Sequence, residues 1–186
     1  MKFKFLTATA VALCLSTGVV GGALAQTNPM VGGAPMLASK NIIENAVNSK
    51  DHTTLVAAVK AAGLVDTLSG PGPFTVFAPT NEAFAALPPG TVDNLVKPEN
   101  KATLTKILTY HVVAGRYDMA TLDKDIKSTP GGKVSLKSVQ GEPLIMSESG
   151  NMLMVTDTKG NTAQVTIPNV FQSNGVIMVV NKVLMP

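Results

Sequence analysis

The thirteen residues from Gly72 to Phe84 constrain the fold more than any other stretch of the chain. Phe74-Thr75-Val76-Phe77-Ala78 is a short apolar run of strand type, and Pro79 ends it because proline has no N–H to give to a sheet ladder. Thr80 then stands where a side-chain oxygen caps a helix that carries Asn81 and Phe84. Glu82 falls in the first turn of that helix, where the dipole favours negative charge. A strand must therefore pass directly into a helix. None of these side chains is a nucleophile, a general base or a metal ligand, so the stretch specifies architecture.

The start of the chain has a separate purpose. Lys2 and Lys4 precede a mostly apolar run, Phe5 to Val20, and Ala23-Leu24-Ala25 supplies a small-x-small cleavage site before Gln26. That is the layout of a secretory signal peptide over residues 1–25, and it predicts export to the periplasm, the cell envelope or the exterior. Glycines and small residues dilute the run, which sets it apart from a membrane anchor, and no later stretch approaches the ~18 apolar residues of a span. Removing 25 of the 186 residues leaves 161, enough for one domain with a core of its own. It also removes two lysines and no acid, so the formal charge falls from +3 to +1. The basic balance thus belongs largely to the targeting segment and does not predict nucleic-acid binding. Cys14, the single cysteine, lies inside the signal, so the mature chain is expected to hold neither a disulfide nor a thiol site.

Residues 26–37 carry proline and glycine without periodicity and read as a flexible leader, which places the domain at 38–186. Ser39 is a candidate cap for a helix through Ile42, Ile43, Ala46 and Val47. Asp51 is a candidate cap for a second, striped by Leu55, Val59 and Ala62 and stopped by Gly63. Leu104, Ile107, Leu108 and His111 recur at i, i+3, i+4 and i+7, so His111 sits on the apolar stripe of a helix or just past its end. From about residue 126 the period becomes two. Val134 and Leu136, Leu144 to Ser147, Met152 to Thr156 and Ala163 to Ile167 read as strands with glycine-containing turns between them. Val176 to Val180 is apolar on both faces, as a central buried strand requires. Helices gather in the first half and strands in the second, which makes the class α+β.

Reactive chemistry is thinly supplied. His52 and His111 are the only histidines, and none of the zinc, nucleotide or serine-hydrolase motifs occurs. Asp118, Asp123 and Asp125 cluster without an EF-hand pattern, and Glu142 and Glu148 lie in polar stretches. No metal, cofactor or enzymatic activity is therefore expected. Tyr110-His111 is the one polar pair inside an apolar frame, and residue types alone favour a buried pair bonded to backbone. Met146, Met152, Met154 and Met178 read as adaptable core filler.

Three segments together resemble the fasciclin (FAS1) domain. Gly72 to Leu87 is similar to its first signature, Leu108 to Val113 to its central Tyr-His motif, and Ser173-Asn174-Gly175-Val176-Ile177 to its second signature. The resemblance implies a β-wedge or sandwich of about seven short strands with several helices packed on it. It also implies a non-enzymatic secreted or surface protein that mediates adhesion to a protein, matrix or surface component. Adhesion in the family is linked to the Tyr-His motif, which carries over to Tyr110 and His111 with Leu108, Val112 and Val113 as flanks. Phe74 to Asn81, Phe84 and Asn174 to Ile177 would be structural signature positions. The chain departs from the family where Met178 stands for a usual histidine. It also has Asn169-Val170 where integrin-binding members carry an Asp-Ile pair, so metal-mediated integrin binding does not transfer. A second function compatible with the sequence is an extracytoplasmic carrier of a small apolar ligand, held between helices and sheet.

Overall fold

A computed structural model describes residues 28–186, so the expected signal peptide lies outside the described residues. The elements run β1 (Met30–Val31), β2 (Ala34–Pro35), α1 (Ile42–Ala46), α2 (Thr53–Ala62), α3 (Val65–Ser69), β3 (Phe74–Pro79), α4 (Asn81–Ala85), α5 (Thr91–Leu95) and α6 (Lys101–Tyr110). Then follow β4 (Val112–Ala114), α7 (Met119–Ser128), β5 (Lys133–Lys137), β6 (Pro143–Ser149), β7 (Met152–Thr156), β8 (Thr162–Gln172) and β9 (Gly175–Val180). Single 3-10 turns at Lys50–His52 and Pro98–Asn100 lead into α2 and α6.

Seven strands make one mixed sheet in the order β4-β3-β9-β8-β7-β6-β5. Only β3 and β9 pair in parallel. The two end strands approach each other: Val113 bridges to Ser138, and the Val139 N–H donates to the Val112 carbonyl at 2.7 Å. The sheet therefore curls toward a closed barrel, which leaves little free edge for another chain to pair with. Mixed helices and strands around a seven-stranded wedge make the fold α+β, as the sequence predicts.

The central strand explains the layering. Every residue of β9 is buried. Ile177 and Val179 join the core beneath the helices, whereas Val176, Met178 and Val180 join the core inside the barrel. Adjacent β3 divides the same way, with Val76 and Ala78 under the helices and Phe77 inside. A period of two with both faces apolar produces two cores sharing one pair of strands. Gly175 permits the close approach, because a Cβ there would run into the Phe74 carbonyl.

Several local expectations change. Part of the stretch read as a flexible leader is built into the body. Met30 pairs with Pro35 and Val31 with Ala34, and Val31 and Met36 are buried in the helix-side core. Gly32 and Gly33, both at positive φ, close this hairpin. The first helix is capped by Asn41 in a reciprocal box with Glu44, not by Ser39. Asp51 caps nothing; the Asn81 carboxamide instead accepts from the Thr54 N–H at 3.0 Å. The Thr80 hydroxyl does cap α4, accepting from Ala83 N–H at 3.3 Å. Pro79 stays within β3 as its last residue, paired with Val180. Helix α7 has no counterpart in the sequence reading, although Asp118 caps it and Leu122 and Ile126 share its buried face. Met146 and Met178 are core, but Met152 is exposed and Met154 only half-buried.

Candidate functional site

The Tyr-His motif lies where α6 ends and β4 begins. Leu108, Tyr110, His111, Val112 and Val113 are all buried, none more than 4% exposed. Leu108 and Val112 belong to the helix-side core, and Tyr110 and Val113 to the barrel interior, so the motif pins one core to the other. No side chain of the five is presented to a partner. The five residues expected to form a contact therefore all face the interior of the fold.

His111 caps α6, and both of its ring nitrogens are engaged. The Leu184 N–H donates to Nε2 at 3.0 Å, so Nε2 carries no proton. The ring proton therefore sits on Nδ1, which donates to the Ile107 carbonyl at 2.9 Å. Burial pushes the His111 pKa down to about 4, against weaker opposing effects from the Ile107 carbonyl and the charge of Asp157. The imidazole is neutral at pH 7 and has no free lone pair, so it serves as neither base nor metal ligand. The His111 carbonyl also accepts from Phe77 N–H at 2.9 Å, tying β3 to the same corner.

Tyr110 meets the His111 ring edge-on, with centroids 6.5 Å apart. Its hydroxyl donates to the Pro143 carbonyl at 2.9 Å and accepts from Thr158 N–H at 3.2 Å. Burial raises the Tyr110 pKa, so the phenol stays protonated and able to donate. One side chain thus fastens the first residue of β6 and the turn after β7 to α6.

The signature residues are similarly occupied. Asn174 Oδ1 accepts from Ile42 N–H at 3.0 Å, and its Nδ2 donates to the carbonyls of Leu68 and Gly70 at 2.8 and 2.9 Å. The Thr75 hydroxyl donates to the Gly115 carbonyl and accepts from Tyr117 N–H. Beyond its cap, Asn81 donates to the Lys50 carbonyl at 2.8 Å.

Sequence reasoning missed Asp157, which is buried. Its two oxygens accept from the N–H groups of Lys159, Asn161 and Met185 and from Asn161 Nδ2. The signal was available, because Asp-Thr-Lys-Gly-Asn is a turn sequence whose aspartate bonds the backbone two residues on. Asn169 was noted only as a departure. It is the one positive-φ residue other than glycine among the described residues, and its side chain accepts from Met119 N–H at 2.7 Å, at the start of α7. Of the acidic candidates only two come together: Asp123 and Glu148 meet beside Lys127, whereas Asp118 caps α7 and Glu142 lies 3.7 Å from Lys106. Among the described residues no three His, Cys, Asp or Glu side chains gather as a metal site, and no helix is long and apolar enough to cross a membrane.

Comparison with known proteins agrees with this geometry. The family model described as the Fasciclin domain matches residues 50–186. The chain is 43% identical over 162 residues to Protein sll1483 of Synechocystis sp., covering 87% of this chain and 82% of that one. It is 39% identical over 147 residues to Immunogenic protein MPB70 of Mycobacterium bovis, covering 76% and 66%. Among solved structures, a FAS1 domain pair from the insect cell adhesion molecule fasciclin I superposes with a TM-score of 0.69. That match has 19% identity over 79% of this chain and 51% of the other.

Proposed function

The chain belongs to the fasciclin-domain family, and from that premise we propose that it is an exported, non-enzymatic adhesion module contacting a protein or matrix component through its outer surface. The observation that carries the reading is the commitment of the motif. Every side-chain polar atom of Tyr110 and His111 is spent on backbone inside the fold. What the motif holds in place is a surface. The structural neighbour from a cell adhesion molecule supports the same reading.

The surface nearest the motif is formed by the β5–β6 turn and the outer face of α6. Val139 is 46% exposed, one of four large hydrophobic side chains exposed to this degree among the described residues, and its N–H bonds Val112 inside the motif. Glu142 and Lys106 lie beside it, and Gln140 bonds both Thr109 and Glu142. An apolar centre with a charged rim is the usual layout of a protein contact.

The test compares attachment of cells that lack the protein with cells that express it or a Val139→Asp/Lys106→Glu variant. Attachment should fall on deletion, return with the native chain and fail to return with the surface variant, whose melting temperature should stay close to native. Unchanged attachment on deletion, across protein-coated and bare surfaces, refutes the function. Full rescue by the variant refutes the surface.

A further inference from the structure

Core packing accounts for most of the methionines but leaves Met152 and Met154 unexplained. Among the described residues, Met36, Met146 and Met178 are buried, and Met119 and Met185 pack against the two cores. Met152 is 46% exposed and Met154 half-buried, and neither joins a core. A step of two along a strand puts both on one face of β7, ~7 Å apart. Leu153 and Val155 belong to the barrel interior, so the face that carries the two methionines is the outer one.

Their surroundings on that face are polar but uncharged. Met154 stands opposite Ser147 on β6 and Gln164 on β8, and Met152 stands opposite Ser149. Gln164 Nε2 donates to Met152 Sδ at 2.7 Å. The Met152 sulfur is therefore turned toward the residue that is the direct cross-strand neighbour of Met154. Two thioethers and one carboxamide converge there, and no carboxylate or ammonium is paired directly opposite either methionine. Thioether sulfur is neutral, soft and polarisable, and among metal ions it selects Cu(I) over the harder divalent cations. Magnesium, calcium and manganese want carboxylates, carbonyls and water instead.

We propose that Met152 and Met154 form a surface site for one soft monovalent cation of the Cu(I) type, with Gln164 Oε1 as a third, weaker donor. The ion takes the sulfur lone pair that now accepts from Gln164 Nε2. Rotation of the carboxamide then turns its oxygen, an acceptor, toward the ion. Methionine is unbranched with three rotatable bonds, so the two sulfurs can close on one ion while the strand stays fixed. None of the three donors has a proton to release on binding, unlike a thiol or an imidazolium. The site does not depend on adhesion through the surface at Val139.

The test titrates Ag(I), a soft monovalent ion stable in air, into the exported chain in chloride-free buffer, with ¹³C at the methionine methyls. On the sequence's reading that chain starts after Cys14, so no thiol competes. The Met152 and Met154 methyls should shift together and saturate at one Ag(I) per chain, while those of Met30, Met119 and Met185 stay in place. Cu(I), titrated separately without oxygen, should move the same two methyls, and Zn(II) should move neither. Met152→Leu and Met154→Leu each nearly conserve volume. Each should weaken binding by more than the ~10-fold that loss of a supporting residue costs, and Gln164→Ala should weaken it less than either. Affinity should be equal at pH 7.5 and pH 6, whereas capture by a histidine would weaken as the ring takes up a proton. The proposal is overturned if Met30 or only one of the pair shifts, if either leucine variant binds as tightly as the native chain, or if affinity falls with pH. The native-chain spectra decide the matter even where a variant fails to fold.

Discussion

Protonation of His111 should make the domain lose stability between neutral and mildly acidic pH. In the unfolded chain the imidazole titrates near its ordinary 6.5, and in the fold near 4. As pH falls through 6.5, the unfolded state takes up a proton that the folded state refuses, so stability is full above that value and declines down to about 4. The gap from 6.5 to about 4 corresponds to about 3 kcal/mol in full, of which about 2 kcal/mol is lost by pH 5. His52, lowered chiefly by its own burial, adds a loss of the same sign. Glu148, raised chiefly by its hydrogen bond with Asp123 and opposed by the Lys127 charge, works in the opposite direction. Asp118 and Asp123, both lowered, lose their contribution only at more acidic pH. Urea unfolding at pH 8, 7, 6 and 5 measures the slope. The native protein should weaken by about 2 kcal/mol or more across that range, and His111→Gln, though less stable throughout, should show a slope shallower by about that amount. Imidazole NMR of the native chain supplies the second readout: a proton on Nδ1 and no titration of His111 above pH 5. Equal stability at pH 8 and pH 5, or a His111 midpoint near 6.5, refutes the assignment.

Three further outcomes test the scaffold. Tyr110→Phe keeps the buried ring but leaves the Pro143 carbonyl and Thr158 N–H unpaired, so chemical denaturation should show a loss of about 1–3 kcal/mol. Asn81→Ala removes the cap on α2 and the bond to Lys50 and should cost about 1–2 kcal/mol, with hydrogen exchange rising first at Thr53 and Thr54. Gly175→Ala forces β3 and β9 apart at their first pair, and the thermal midpoint should fall by an amount equivalent to about 1–3 kcal/mol, more than for Gly150→Ala in an open turn.

The motifs were legible because they record local chemistry. Thr80 caps the helix after β3, Gly63 ends α2 in the left-handed conformation, and Val176 to Val180 reads as doubly buried, each from its neighbours in sequence. Helix α7 and Asp157 were also legible in principle. An aspartate cap ahead of Leu122 and Ile126, and an aspartate turn before Gly160, are patterns of the same kind. The hairpin at Met30 to Pro35 was not, since two-residue strands have no period to detect. Val31 and Met36 become core only because α1 and the sheet lie beneath them.

Gly72 to Phe84 by itself determined a strand running into a capped helix, because strand-forming residues, a proline and a capping threonine act on their own backbone. With the Tyr-His stretch and the Asn-Gly strand, it also determined the family. Only the tertiary structure decided what those residues are used for. Asn81 caps a helix that precedes it in sequence, Asn174 gathers α1 and α3, and His111 receives a proton donor from Leu184 at the far end of the chain. A side chain's type fixes which hydrogen bonds it is able to make. Its partner is fixed by which distant backbone group the fold leaves unpaired beside it, and that is set by packing across the whole chain.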